Sequence, residues 1–229
     1  MNTIEYNIND ITIIDNFLEE NEYNRIKTIL YSSDFIWSKN RINGDYELDG
    51  QGNRIDRTIN EMFNIQMTHG TYLDMDAPKR IPGIKSSFFK EIRPILLKIN
   101  PFHLLRVKAN LTFNHQEKLA GNFHVDAGVF SGMGMTAIMY FTTSNGPTEF
   151  KNGRIVNSVE NRLVIFPNEF LHTGYRSTNT KERIVLNINW IDNKRFDCTK
   201  DELYAKIEEK QKEQNKIIYN IRNARNSSN

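Results

Sequence analysis

A histidine and an aspartate separated by one residue, His124-Val125-Asp126, are the side chains of this sequence best suited to chemistry. Alternate side chains of an extended segment point to the same side, so the imidazole and the carboxylate can share one metal ion. A third ligand is available in His172, which follows the apolar, strand-like residues 162–167. Two histidines and one carboxylate form the facial triad typical of non-haem Fe(II), which leaves three positions open for reactants. The sequence therefore predicts His124, Asp126 and His172 as metal ligands.

An alternating segment at residues 183–190 follows the second histidine and begins with an arginine. One of its faces is polar and carries Arg183, Val185, Asn187 and Asn189. Burying an arginine on such a face in a dry core costs free energy, whereas an arginine that faces solvent is common. The same face also suits the wall of a cavity that holds a dicarboxylate. The pattern alone leaves both interpretations open.

The composition excludes several classes of protein. A formal net charge of +2 is too small to argue for nucleic-acid binding by field strength. The single cysteine, Cys198, excludes an internal disulfide and a cysteine-rich zinc or iron–sulfur site, and it fits a reducing compartment. The N-terminus lacks a basic segment followed by an apolar run, and no apolar stretch is long enough to span a membrane. We expect a cytoplasmic protein without a membrane partner.

The pattern of apolar residues predicts which elements position the candidate ligands. Helical spacing predicts helices over residues 17–32, 84–98 and 201–225. Gly, Asn and Pro signals predict long loops over residues 41–60, which contain a possible hairpin, and 68–83. Extended patterns predict an edge strand within residues 4–14 and strands at 63–67, 104–113, 124–130, 136–142, 148–150, 162–166 and 183–190. Short strands with no helix between them indicate an antiparallel sandwich or jelly roll.

The chain length of 229 residues fits a single domain with three parts. Residues 1–100 supply the N-terminal helices, strands and loops. Residues 101–192 supply the β-rich core with the candidate metal ligands, and residues 193–229 a C-terminal helix and tail.

The order and spacing of His124-x-Asp126, His172 and Arg183 resemble the Fe(II)- and 2-oxoglutarate-dependent dioxygenases, particularly their prolyl 4-hydroxylase-like branch. The resemblance covers roughly residues 100–192, and residues 13–18 resemble the opening of that branch's N-terminal region. It implies a mainly β fold with flanking helices (α+β), built around a double-stranded β-helix. This is a cupin-like jelly roll with the metal at one open end.

The resemblance also implies roles for the other polar residues. Arg183 would pair with the distal carboxylate of 2-oxoglutarate, because its planar fork offers bidentate hydrogen bonds and stays charged when desolvated. Tyr140 would donate to the same carboxylate. Asn187 and Asn189 correspond to positions near the metal-bound water and the reacting centre, and Asn110 is a further candidate contact to the cosubstrate.

The implied reaction is hydroxylation of an unactivated C–H bond with release of succinate and CO2. The branch points to peptidyl or free proline as the substrate, so the expected partner is a peptide or a small molecule. Fe(II), 2-oxoglutarate and O2 are the implied cofactor and cosubstrates, with ascorbate as a further candidate.

Three alternatives stay open from the sequence. A noncatalytic jelly-roll module would use the same cluster to hold a metal or ligand, and Arg183 is the feature that favours an enzyme over it. A zinc hydrolase would need an additional carboxylate base, which is not evident beside the three ligands. Within the oxygenases, another amino acid or a nucleobase is an alternative substrate, since fold analogy does not choose a substrate.

Overall fold

Strands dominate the part of the chain that the computed structural model describes, which is residues 3–41, 46–48, 54–56, 65–74, 83–127, 130–199, 201–206, 208, 209, 212 and 216. The strands are β1 (Thr12–Ile14), β2 (Ser38–Arg41), β3 (Tyr46–Leu48), β4 (Arg54–Asp56), β5 (Ile65–Leu73), β6 (Gly83–Ile84), β7 (His103–Phe113), β8 (Gly134–Tyr140), β9 (Ser144–Phe150), β10 (Ile155–Ser158), β11 (Leu163–Pro167), β12 (His172–Gly174) and β13 (Glu182–Ile191). The helices are α1 (Glu20–Leu30), α2 (Arg93–Ile99) and a 3-10 helix, Ser87–Lys90. Residues 201–206 are also helical.

Two antiparallel sheets within these residues pack face to face. The main sheet has the order β1-β11-β8-β13-β7-β5-β2, with β6 paired to β5, and the second sheet has the order β10-β9-β12. Apolar side chains from both sheets fill the space between them, among them Phe150 and Val156 from the second sheet and Tyr140, Phe166 and Val185 from the main sheet. This two-sheet sandwich is the jelly-roll core that the strand pattern predicts.

The outer face of the main sheet is covered by the helices. Tyr23, Ile26 and Leu30 of α1 and Ile95 and Ile99 of α2 belong to one buried cluster with Ile184, Leu186, Ile188 and Trp190, the apolar face of β13. The two faces of β13 therefore have different surroundings. Its apolar face packs under the helices, and its polar face lies toward the second sheet.

On that polar face, β13 and β7 form four successive cross-strand pairs, which we call levels. They are Arg183 opposite Thr112, Val185 opposite Asn110, Asn187 opposite Lys108, and Asn189 opposite Arg106. Neighbouring levels are about 7 Å apart, the rise of two strand residues. Because Arg183, Asn187 and Asn189 are all buried, the solvent-facing interpretation of this strand is wrong.

The predicted helices differ from the observed ones in extent. The helix expected over residues 17–32 is confirmed but begins at Glu20. The single helix expected over 84–98 is wrong, because the chain forms the 3-10 helix and then α2 with Pro94 in its first turn. Proline fits there since a first-turn amide needs no helical acceptor, whereas it would break a helix that continued through it. Residues 201–206 begin the expected C-terminal helix, most of whose apolar positions lie outside the described residues.

Most predicted strands are observed, with several corrections. Residues 68–73 belong to β5 and not to a loop, and β2, β6, β10 and β12 have no counterpart among the predicted strands. The strand expected over 124–130 is wrong, because His124 forms an isolated bridge and the chain bends at Asp126. The hairpin suggested within 41–60 corresponds to the antiparallel pair β3 and β4. No helix among the described residues has the length and apolar character needed to cross a membrane.

Candidate active site

The three predicted metal ligands lie together at one end of the space between the sheets. One donor atom from each of His124, Asp126 and His172 lies within 4.8 Å of the others. The imidazole Nε2 of His172 is 3.9 Å from the Asp126 carboxylate, too long for a hydrogen bond. Since a metal ion lies about 2 Å from nitrogen and oxygen ligands, this gap fits an ion between the two groups.

Backbone contacts orient both imidazoles for metal binding. Nδ1 of His124 lies 3.1 Å from the carbonyl oxygen of Asn122, and Nδ1 of His172 lies 2.9 Å from that of Phe170. Each Nδ1–H can donate to its carbonyl, which leaves Nε2 free to bind a metal. Burial lowers the pKa of His172, although the Asp126 carboxylate opposes this effect. The buried ring is thus kept in the neutral form that a metal requires.

An arginine and an asparagine on the two central strands hold the carboxylate of Asp126. Arg106 donates from Nη2 to Oδ1 at 2.7 Å, and Asn189 donates from Nδ2 to Oδ2 at 3.4 Å. Arg106 also donates from Nε to the side-chain oxygen of Asn189 at 2.8 Å, so the three side chains form one network. Burial raises the pKa of Asp126, but nearby cationic groups, of which Arg106 has the largest effect, outweigh it and hold the pKa below the usual range.

A cavity of about 90 Å³ extends from this cluster between the two sheets. A single water needs about 10–15 Å³ of such space, so the cavity has room for a small organic molecule. Its walls come from β5, β7, β8 and β13 of the main sheet, from β9 and β12 of the second sheet, and from residues 119–126 and 175–176.

Arg183 lies buried in the wall of the cavity, at the first of the four levels. Its guanidinium lies 5.4 Å from the ring centre of Tyr140 and donates to the hydroxyl of Thr148 over a long 3.4 Å. Its Nε has no hydrogen-bond partner, and no described carboxylate pairs with it. A buried guanidinium without an anion is costly, so this arrangement fits a carboxylate brought by a ligand.

The distance between Arg183 and the metal cluster suits a short diacid. Nη1 of Arg183 lies 3.7 Å from the position that a Cβ would take at Gly174. Gly174 and His172 are two residues apart on β12, so they share a face and lie about 7 Å from each other. One carboxylate of a five-carbon diacid could meet the guanidinium while the other end reaches the metal cluster. The residues present therefore fit both Fe(II) and 2-oxoglutarate.

The remaining predicted residues fall at different depths. Asn110 and Asn187 line the cavity, and the side-chain oxygen of each is buried without a partner. Asn189 lies behind Asp126. Tyr140 is fully buried, and its hydroxyl donates to Thr148 Oγ1 at 2.8 Å. Thr148 in turn lines the cavity.

Three polar residues of the site, Arg106, Lys108 and Thr148, have no counterpart among the sequence predictions. A signal for two of them is present in β7, where Arg106, Lys108, Asn110 and Thr112 alternate with apolar residues and share one face. Thr148 gives no such signal, because its role depends on β9 packing across the cavity from β13.

No protein-family model and no curated protein sequence matches the chain. Its fold matches solved structures. A prolyl hydroxylase from Trichoplax adhaerens, in complex with a peptide fragment of the hypoxia inducible factor oxygen degradation domain, has a TM-score of 0.52 and 14% identity over 82% of this chain and 86% of that chain. A 2OG-Fe(II) oxygenase family oxidoreductase from Burkholderia pseudomallei has a TM-score of 0.53 and 11% identity over 81% of this chain and 88% of that chain. The predicted resemblance is thus confirmed at the level of the fold: the chain is a mainly β protein with the jelly-roll core of the 2-oxoglutarate- and Fe(II)-dependent oxygenases.

Proposed function

We propose that this protein is an Fe(II)- and 2-oxoglutarate-dependent dioxygenase that hydroxylates a C–H bond. One observation carries the proposal: a His-Asp-His cluster and a buried arginine without an acidic partner face the same cavity. A noncatalytic metal site needs the cluster but has no use for the arginine. Because burying a guanidinium without an anionic partner is unfavourable, the buried Arg183 supports a site that binds a dicarboxylate.

Each residue of the site has a separate task in this proposal. His124, Asp126 and His172 hold Fe(II), and Arg183 binds the distal carboxylate of 2-oxoglutarate. When bound, the metal and the cosubstrate would, together with O2, supply the oxidising chemistry that converts C–H to C–OH: one oxygen atom of O2 enters the product and the other enters succinate as 2-oxoglutarate loses CO2. The ring of Phe166 lies 4.8 Å from that of His172 and helps to exclude water from the metal.

A peptidyl or free proline is the first substrate to test. The Trichoplax structure of similar fold contains a peptide. In this chain, the surface next to the metal cluster exposes Phe123, Val125 and Leu171. Val125 and Leu171 flank the bridge between His124 and His172, so an apolar peptide segment could lie against them beside the reacting centre.

The test is to incubate the purified protein with Fe(II) and 2-oxoglutarate without oxygen, admit oxygen, and measure succinate with and without proline peptides. His172→Ala should abolish metal binding and succinate formation. Arg183→Ala should keep the metal but weaken 2-oxoglutarate binding about 100-fold, because it removes one partner of a buried charge pair.

His115→Ala is the matched control, since the side chain of this loop histidine is hydrogen-bonded to the backbone of Glu117 in its own loop. It should behave as the wild type in both assays. Succinate yields equal to wild type in both site variants would refute the proposal. Succinate formation that responds to another amino acid or a nucleobase, and not to proline, would keep the reaction and change the substrate.

A further inference from the structure

Lys108 is a cation in the cavity wall that has no role in the proposed function. It lies on β7, opposite Asn187, and its side chain lines the cavity. Within the described parts of the chain, no carboxylate or other acceptor lies within hydrogen-bond distance of its ammonium group. Among the described carboxylates, that of Asp126 is close enough to affect the charge of Lys108, and it already pairs with Arg106.

The surroundings of Lys108 disfavour its positive charge. Burial, followed by the neighbouring charge of Arg106, lowers the pKa of Lys108 to about 8 although Asp126 opposes this. A partly buried ammonium beside a guanidinium is costly unless an anion joins it. An apolar residue at this position would avoid the cost, so the lysine is best explained by an anionic ligand.

The position of Lys108 along the sheet separates its anion from that of Arg183. Lys108 lies on the third level, one step from Arg106 and Asn189, which hold Asp126. Arg183 lies two levels away in the opposite direction. A carboxylate at Lys108 would therefore be next to the metal cluster, at the other end of the cavity from the carboxylate at Arg183.

Two amides beside Lys108 complete a polar pocket. Asn187 lies opposite it on β13, and Asn110 is two residues further along β7 on the same face. The side-chain oxygens of both asparagines are buried without a partner. An ammonium group with two amides that can turn to donate supplies several hydrogen bonds to a carboxylate, and those to a charged group are the stronger kind.

We propose that Lys108 binds a carboxylate at the metal end of the cavity, so that the site binds anionic groups at two points, Arg183 and Lys108. The inference rests on the proposed function. Two sources share this chemistry: the metal-end carboxylate of 2-oxoglutarate, or a carboxylate of the primary substrate. In the second case the substrate class is acidic.

The first arm of the test measures binding of 2-oxoglutarate to the Mn(II)-loaded protein by calorimetry without oxygen. If the cosubstrate supplies the carboxylate, Lys108→Met should raise the dissociation constant by at least about 10-fold, because one charge-assisted contact is lost. Lys108→Arg should restore part of the affinity. The affinity for 4-oxobutanoate, which lacks the metal-end carboxylate, should not change in Lys108→Met.

The second arm uses proline peptides that carry glutamate and their glutamine counterparts. If the substrate supplies the carboxylate, Lys108→Met should bind 2-oxoglutarate as the wild type does. The wild type should form succinate faster with the glutamate peptides, and Lys108→Met should lose this preference. Lys181→Met removes one exposed positive charge outside the cavity and should leave both measurements unchanged.

Thermal unfolding followed by circular dichroism establishes that each variant is folded before it is assayed. A folded Lys108→Met protein with wild-type 2-oxoglutarate affinity and a wild-type peptide preference overturns the inference alone. A wild-type protein that binds Mn(II) but not 2-oxoglutarate overturns the proposed function, and the inference falls with it.

Discussion

His124 and His172 face each other across two antiparallel segments and exchange both of their backbone hydrogen bonds, each 3.0 Å long. Their ring centres are 4.7 Å apart. The main chain therefore sets the spacing of the two imidazoles, whether or not an ion lies between them. Metal binding should need little rearrangement of the backbone.

Arg106→Met should destabilise the metal-free protein more than the metal-loaded protein. The substitution leaves the buried carboxylate of Asp126 without its cation, a loss of about 3–5 kcal/mol in the free energy of unfolding. A divalent ion at the cluster replaces the missing charge, so Mn(II) should recover part of the loss. Urea unfolding with and without Mn(II) measures both effects.

Arg162→Met is the control for this prediction, because its ion pair with Asp15 lies at the surface. It should cost less than about 1 kcal/mol and show no dependence on Mn(II). An Arg106→Met protein that loses equal stability with and without the ion would show that Arg106 does not compensate the carboxylate at the metal cluster.

Thr148→Val should weaken 2-oxoglutarate binding more than Tyr140→Phe does. The hydroxyl of Thr148 accepts from both Tyr140 and Arg183, so valine leaves the tyrosine hydroxyl without its acceptor and frees the guanidinium to move. We expect about a 10-fold rise in the dissociation constant for Thr148→Val, on the scale of one lost hydrogen bond to a charged group. Tyr140→Phe should change it less than about 3-fold. Equal effects would mean that Tyr140 reaches the cosubstrate directly.

The stability gained by Lys108→Met in the metal-free protein should depend on pH. The pKa of Lys108 is lowered from 10.5 to about 8, so the unfolded chain holds a proton between these values that the folded chain has released. The free energy of unfolding of the wild type therefore rises with pH across this window. Below the window, burial of the charged lysine destabilises the folded protein by its full amount. Lys108→Met should be more stable by on the order of 3 kcal/mol at pH 7, and the difference should disappear near pH 10.5. Parallel stability profiles of the two proteins over pH 7 to 10.5 would contradict the shift.

Gly146→Ala should destabilise the second sheet where β9 approaches the residues after β12. A Cβ at position 146 would lie 2.7 Å from the carbonyl oxygen of Tyr175, a backbone atom that cannot turn aside. We expect a loss of about 1–3 kcal/mol in the free energy of unfolding. Gly70→Ala on β5 is the control, since no atom lies within 4 Å of its Cβ position. A loss in Gly70→Ala as large as in Gly146→Ala would show that the close approach is not the cause.

His124, Asp126 and Arg183 could be predicted as site residues from the sequence because each belongs to a short pattern along the chain. His124 and Asp126 are two residues apart, and Arg183 opens a segment whose alternation is visible without a partner strand. The strand expected over 124–130 was wrong since apolar residues there, such as Phe130, pack in a turn under Leu105 and Leu203 and not in a sheet. Local alternation does not distinguish these two environments.

The residues that sequence reasoning missed depend on register between distant segments. Arg106 meets Asp126 only because β7 lies beside β13 with Arg106 opposite Asn189. Thr148 meets Arg183 because the second sheet packs over the first. Neither relationship has a signature within one strand, and the same holds for the hydrogen bond that Tyr140 donates to Thr148.

The central place of β13 has a consequence for how the protein matures. This last strand of the main sheet lies between β7 and β8, although both precede it by more than forty residues in the chain. Arg183 reaches the cavity and Asn189 reaches Asp126 only once β13 has inserted there, and such long-range pairing is a slow step in folding. A nascent chain that has not yet added β13 has His124, Asp126 and His172 but lacks Arg183 in the cavity wall. Under the proposed function, iron captured at that moment would lack the arginine that binds its cosubstrate, so acquisition of the metal should be most productive after the sheet has closed.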